Sequence, residues 1–156
     1  KLVSPGGVER AAKLAGMKLR QVISENDSSL TLLLLDADKD LTCQLGPELT
    51  SRMVDAQPHV PTYSVIVPPE FETWFAASAE ILFDKMLDSD DLSRILDPEG
   101  NRLGKTWIRE HCFNRSYSEV IDQPKFSNRM DLEKTLERSS SFRRLVNRTK
   151  RLFELS

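Results

Sequence analysis

Cysteine, histidine and glycine are all scarce in this chain, and each scarcity removes a class of function. Cys43 and Cys112 are the two cysteines. They build no disulfide framework and form no C-x-x-C pair, which points to a reducing compartment and a cytoplasmic setting. His59 and His111 are too few and too far apart for a Cys/His zinc site. The 6 glycines form no G-x-x-x-x-G-K-[ST] loop, so P-loop nucleotide chemistry has no support. There is no nucleophilic-serine motif and no internal repeat. No apolar run is long enough to span a bilayer, and no signal-peptide pattern is visible, so a membrane is not expected as a partner. Net charge is −2 over 156 residues, so any nucleic-acid footprint must be local rather than global.

What is present is an ordinary globular composition, 39% hydrophobic and 29% charged, enough for a domain with a real core. Its most informative stretch is Leu30-Thr-Leu-Leu-Leu-Leu-Asp36-Ala-Asp38-Lys-Asp40. An apolar run bounded by polar residues reads as a strand buried on both faces of a parallel sheet. Open α/β sheets place their chemistry at the carboxyl ends of strands. Asp36 and Asp38 are two apart and share a side if strand geometry continues. Paired carboxylate oxygens suit magnesium, which takes one or two carboxylates and keeps several waters. The alternative is a strand-to-helix turn with solvated aspartates.

Around this run the periodicity alternates. An amphipathic helix is expected from about residue 7 to residue 25, before the Leu30–Leu35 strand. Gly46-Pro47 opens a second helix with Leu45, Leu49 and Met53 on its buried side. Tyr63–Val67 is a second strand, which a helical crossover makes parallel to the first. A third helix follows from Glu70 through Phe83. Glu70 and Glu72 are then either first-turn helix acids or rim acids facing Asp36 and Asp38. The pattern weakens over 84–104, where Asp97-Pro-Glu-Gly100-Asn101 marks a turn. A short helix runs from Lys105 through Cys112, and 114–130 reads as loop because of Pro124. Asp131 caps a helix to Arg138, and Ser139-Ser-Ser141 caps the last one. That last helix sets Phe142, Leu145, Val146, Leu152 and Phe153 against Arg143, Arg144, Arg148, Lys150 and Arg151. Such a face is either solvated surface or a contact for phosphate or a partner. The expected organisation is an α/β core over 1–83 with a helical C-terminal part over 84–156.

Three stretches carry a family resemblance: Leu32-Leu-Leu-Leu-Asp-Ala-Asp38-Lys-Asp40, Pro69-Glu-Phe-Glu-Thr-Trp-Phe75, and Ser140-Ser-Phe142 before a basic helix. With them go Gly104-Lys105-Thr-Trp107, Tyr117, Asp122-Gln123-Pro124 and Arg129-Met-Asp131. This set resembles the bacterial domain of unknown function 4276 family, whose fold is Toprim-like, over nearly the whole chain. The resemblance implies a parallel sheet flanked by helices, with a magnesium (or manganese) ion held by Asp36 and Asp38. Glu72, with Glu70 as second choice, matches an acid that related nucleases use for a second metal. Lys105 stands where a catalytic lysine sits. The family's first strand and its glutamate motif do not occur in this sequence, so they are expected to precede Lys1.

The leading expectation is a magnesium-dependent nuclease acting on DNA or RNA, in bacterial defence or mobile-element biology beside an ATPase partner. Arg143, Arg144, Arg148 and Arg151 are its candidate nucleic-acid contacts. The alternative is a non-catalytic Toprim-like module that docks an ATPase or nucleic acid. A nucleotide-binding or signalling α/β domain ranks last, because no glycine-rich turn supports it.

Overall fold

The structure, a computed structural model, describes residues 31–37, 42–83 and 87–154. The helix expected over residues 7–25 lies outside these residues, as do Asp38 and Asp40.

Two strands, β1 (Thr31–Asp36) and β2 (Thr62–Val67), pair in one sheet. The Thr31 N–H donates to the Pro61 carbonyl at 2.8 Å, and the Ala37 N–H donates to the Val67 carbonyl at 2.9 Å. The same sequence offset holds at both ends, so the strands run parallel, as expected of a β-α-β unit. Every residue of β1 is half-buried, whereas Val65, Ile66 and Val67 of β2 are buried. The expectation that β1 is buried on both faces is therefore corrected. Its one described neighbour is β2, and an apolar run alone does not distinguish full from partial burial.

Eight α-helices lie among the described residues. They are α1 (Thr42–Ala56), α2 (Thr73–Ala77), α3 (Ala79–Phe83), α4 (Ser89–Arg94), α5 (Lys105–His111), α6 (Asp122–Arg129), α7 (Leu132–Arg138) and α8 (Ser140–Glu154). The chain divides into two compact units. Of the described residues, one unit holds 31–35, 42–66 and 145–154, and the other holds 36–37, 67–83 and 87–144.

In the first unit, α1 buries Leu45, Leu49 and Met53, one turn apart on one face. The helix begins at Thr42, earlier than expected, and continues through Pro47. Ser64 of β2 ties the two elements together. Its hydroxyl donates to the Gly46 carbonyl at 2.7 Å, and its N–H donates to the Thr50 hydroxyl at 3.1 Å.

The second unit is built around Phe75, Phe83, Ile95, Leu103, Trp107 and Ile108. Three elements there depart from the sequence expectation. The helix after β2 breaks at Ser78 into α2 and α3, where the Ala77 carbonyl accepts from Arg138 at 3.0 Å instead. The weak stretch holds α4, opened by a reciprocal cap between Asp88 and Asp91. The stretch read as loop contains α6, with Pro124 in its first turn. A first-turn N–H has no intrahelical partner to lose, so proline is tolerated there. The aromatic ring of Phe126 then packs edge-on against Phe75 and Phe83.

Candidate functional site

β1 ends at Asp36, and the chain leaving β2 runs through Glu70 to Glu72. Both ends belong to the second unit. The Asp36 Oδ1 accepts the Phe71 N–H at 2.7 Å, which fixes the strand-end carboxylate beside the Glu70–Glu72 segment. The Glu70 Oε2 accepts the N–H of Lys105, first residue of α5, at 2.6 Å. Gly104, which precedes α5, makes room for this approach. A Cβ there would stand 2.5 Å from that same oxygen. Glu70 therefore does cap a helix, though the helix is α5 and not its own.

Glu72 is used differently. It is 1% exposed and makes no capping bond to α2; its Oε1 accepts from the Tyr117 hydroxyl at 2.9 Å. Burial pushes its carboxyl above the ordinary range, and the charge of Glu70 adds to this. The Tyr117 bond and the charge of Lys105 oppose the shift without cancelling it. Tyr117 is raised in turn, first by burial and then by Glu72. The Lys105 Nζ lies 2.9 Å from the Glu119 Oε1. Burial works against its charge, but Glu119, Glu72 and Glu70 outweigh that and raise its pKa.

Asp36, Glu70, Glu72 and Lys105 are thus gathered around one stretch of chain at the carboxyl ends of the parallel strands, while Asp38 lies outside the described residues. Among the described residues, no group of three or more His, Cys, Asp or Glu side chains is placed to hold a metal ion. The chemistry of the donors separates them. Asp36 and Glu70 fit magnesium in kind, as hard carboxylate oxygens oriented by backbone N–H bonds. Glu72 differs from them: it is buried, and its Oε1 is already engaged by the Tyr117 hydroxyl.

The four arginines predicted to meet nucleic acid do different jobs. Arg143 donates to the Leu136 carbonyl at 2.9 Å and also to the Glu137 carbonyl, closing the C-terminus of α7. Arg144 turns back to the Ser140 carbonyl at 3.5 Å and hydroxyl at 3.4 Å. Arg148 is half-buried, correcting the expectation that it is mostly exposed. Its guanidinium carbon sits 4.8 Å from the centre of the Tyr63 ring, an aromatic contact that shields it. Arg151 is exposed.

Sequence reasoning assigned no role to several polar constellations. The His111 Nε2 lies 2.8 Å from the Asp91 Oδ2, and its Nδ1 lies 2.8 Å from the Trp107 carbonyl. Trp107 stacks on the same ring and donates to the Asp91 Oδ1 at 3.1 Å. With both ring nitrogens engaged, His111 is spent on structure. Glu99 is held by Ser139, Ser140 and Ser141, and Glu80 by Lys134 and Arg138. The partners are separated by 20 to 58 residues, so no local spacing reveals the His111, Glu99 or Glu80 pairings.

No helix among the described residues is long and apolar enough to cross a membrane. No protein-family model matches the chain, and no curated protein or solved structure is found that resembles it.

Proposed function

We propose that this chain carries out magnesium-dependent chemistry on phosphodiester bonds, as a nuclease acting on DNA or RNA. What supports the reading is that Asp36, bonded to the Phe71 N–H, and Glu70, bonded to the Lys105 N–H, follow the carboxyl ends of two parallel strands, where open α/β sheets place their sites. Asp36 and Glu70 would hold the ion, with Asp38 two positions after Asp36 in sequence. When bound, a divalent ion supplies positive charge to a phosphoryl oxygen and lowers the pKa of a water. Lys105 keeps a cation near the site, held by Glu119, where it offsets phosphate charge. Glu72, buried and bonded by the Tyr117 hydroxyl, stands behind Asp36 and Glu70 as a positioning group. A cytoplasmic role in bacterial defence or mobile-element biology, beside an ATPase partner, completes this reading.

A second reading, a binding module without catalysis, is favoured by one observation. Asp36, Glu70 and Glu72 each already accept a hydrogen bond that stabilises the fold. One experiment separates the two. The protein is incubated with single- and double-stranded DNA and RNA in magnesium or manganese, with chelator controls, and ion binding is followed by calorimetry. The nuclease reading expects ion-dependent cleavage that Asp36→Asn and Glu70→Gln reduce by about tenfold or more at an unchanged melting temperature. No cleavage and no ion binding leaves the binding module.

A further inference from the structure

We propose that the surface formed by Tyr63, Arg148 and Arg151 grips the phosphate backbone of a nucleic acid without reading its sequence. The proposal does not depend on the metal chemistry above, because it concerns binding and not cleavage.

Between residues 138 and 151 the sequence holds no Asp or Glu, although the chain as a whole has a net charge of −2. The positive field along α8 is therefore local. Arg143 and Arg144 are engaged by carbonyls or a hydroxyl of the fold. Among the side chains the structure describes, which do not include Glu154, Arg148, Lys150 and Arg151 pair with no acid, and the last two are exposed.

Arg148 and Arg151 are three apart, so they lie on one helix face. The Arg148 guanidinium lies over the Tyr63 ring. A guanidinium held over a ring by cation–π attraction still carries N–H donors, and these match phosphate oxygens in pairs. A side chain already fixed on a ring also loses less rotamer freedom when it binds.

Other polyanions and partners fit less well. An amphipathic helix on an anionic membrane puts large apolar side chains beside its cations. Among the side chains the structure describes, the large apolar ones that are exposed, such as Leu96 and Val120, lie elsewhere in sequence. A protein interface is centred on apolar and aromatic anchors, and among the described side chains of this face none is exposed: Tyr63 is half-buried. Arginines on one helix face beside an aromatic ring make a surface that phosphates select.

The test is fluorescence anisotropy of labelled duplex and single-stranded oligonucleotides, in chelator so that no cleavage can occur, across a salt series. The unaltered protein is expected to bind with affinity falling linearly on a log–log plot against salt. Arg148→Ala/Arg151→Ala should weaken binding by about tenfold or more in low salt and make the slope shallower by roughly two. Arg143→Ala should leave the slope unchanged, because that side chain is occupied by α7. Arg151→Glu is exposed and keeps the fold, so it should reproduce the loss at an unchanged melting temperature. Binding and slope unchanged in both the double variant and Arg151→Glu overturn the proposal. So does a protein that ignores oligonucleotides yet binds anionic vesicles through the same arginines.

Discussion

Four hydrogen bonds converge on the Glu99 carboxylate. They come from the hydroxyls of Ser139 at 2.6 Å, Ser140 at 2.5 Å and Ser141 at 2.7 Å, and from the Ser141 N–H at 2.8 Å. Burial penalises its charge, yet the donors outweigh burial and its pKa is lowered. Glu72 is also buried but has one phenol as its side-chain donor, and its pKa is raised. Glu99 is half-buried and Glu72 almost wholly buried, so fewer donors and greater depth both push Glu72 the other way. Glu80 is the case where the effect is large enough to measure. Its bonds to Arg138, at 2.8 and 2.9 Å, lead the causes, and Lys134 adds to them. They bring its pKa from 4.5 to about 2. The folded value lies below the unfolded one, so the stabilisation is fully present above 4.5 and is lost as pH falls from there toward 2. Its size is on the order of 2 kcal/mol, after allowance for partial exposure of the side chain. Unfolding free energies from urea titrations should fall between about pH 6 and pH 2.5 by most of that amount more in the unaltered protein than in Glu80→Gln. Parallel curves for the two would show that the pair contributes nothing.

At the scale of elements, the legible features were those governed by neighbours in sequence. The apolar run ending at Asp36 is β1, the β-branched run after Pro61 is β2, and their pairing is parallel. Asp131 was read as a cap, and its Oδ1 accepts the Lys134 N–H at 3.0 Å. The features that were not legible depend on distant partners. At the break at Ser78 the Ala77 carbonyl is taken by Arg138, far along the chain. Helix α6 was missed because Pro124 reads as a breaker until its place in the first turn is known. Of the candidate site, the acids and Lys105 were legible one by one. That Glu70 caps α5, and that Tyr117 sits on Glu72, was not. The cap at Asp131 gives an element-scale prediction. Asp131→Ala removes the acceptor for a first-turn N–H and should cost about 1 kcal/mol in chemical denaturation. Asp131→Asn keeps an acceptor and should recover most of that loss. Equal losses in the two variants would mean that charge at the helix start matters more than the hydrogen bond.

At the scale of the whole molecule, the apolar core described above lies within the second unit, and that unit also holds the candidate site. Phe75 is at its centre. It is fully buried, and its ring meets Phe71 at 5.4 Å and Phe126 at 5.6 Å, both nearly edge-on. Phe71 is the residue whose N–H holds Asp36, and Phe126 is carried by α6, which also brings its ring to Phe83. One side chain thus joins the helix after β2, the site-bearing loop and α6 through a continuous run of rings. Truncating it deletes a large buried volume that neighbouring rings cannot refill without giving up their own edge-on contacts. Phe75→Ala should therefore cost about 3–5 kcal/mol. The distribution of that loss is the sharper test. If the unit opens cooperatively, native-state hydrogen exchange should show protection falling together across α2, α3, α5 and α6. The Phe71 amide should exchange faster in step with them, because its acceptor Asp36 is released in the same event. Loss of protection confined to α2, with α5 and α6 unchanged, would show that these helices are held independently and that the ring contacts do not couple them.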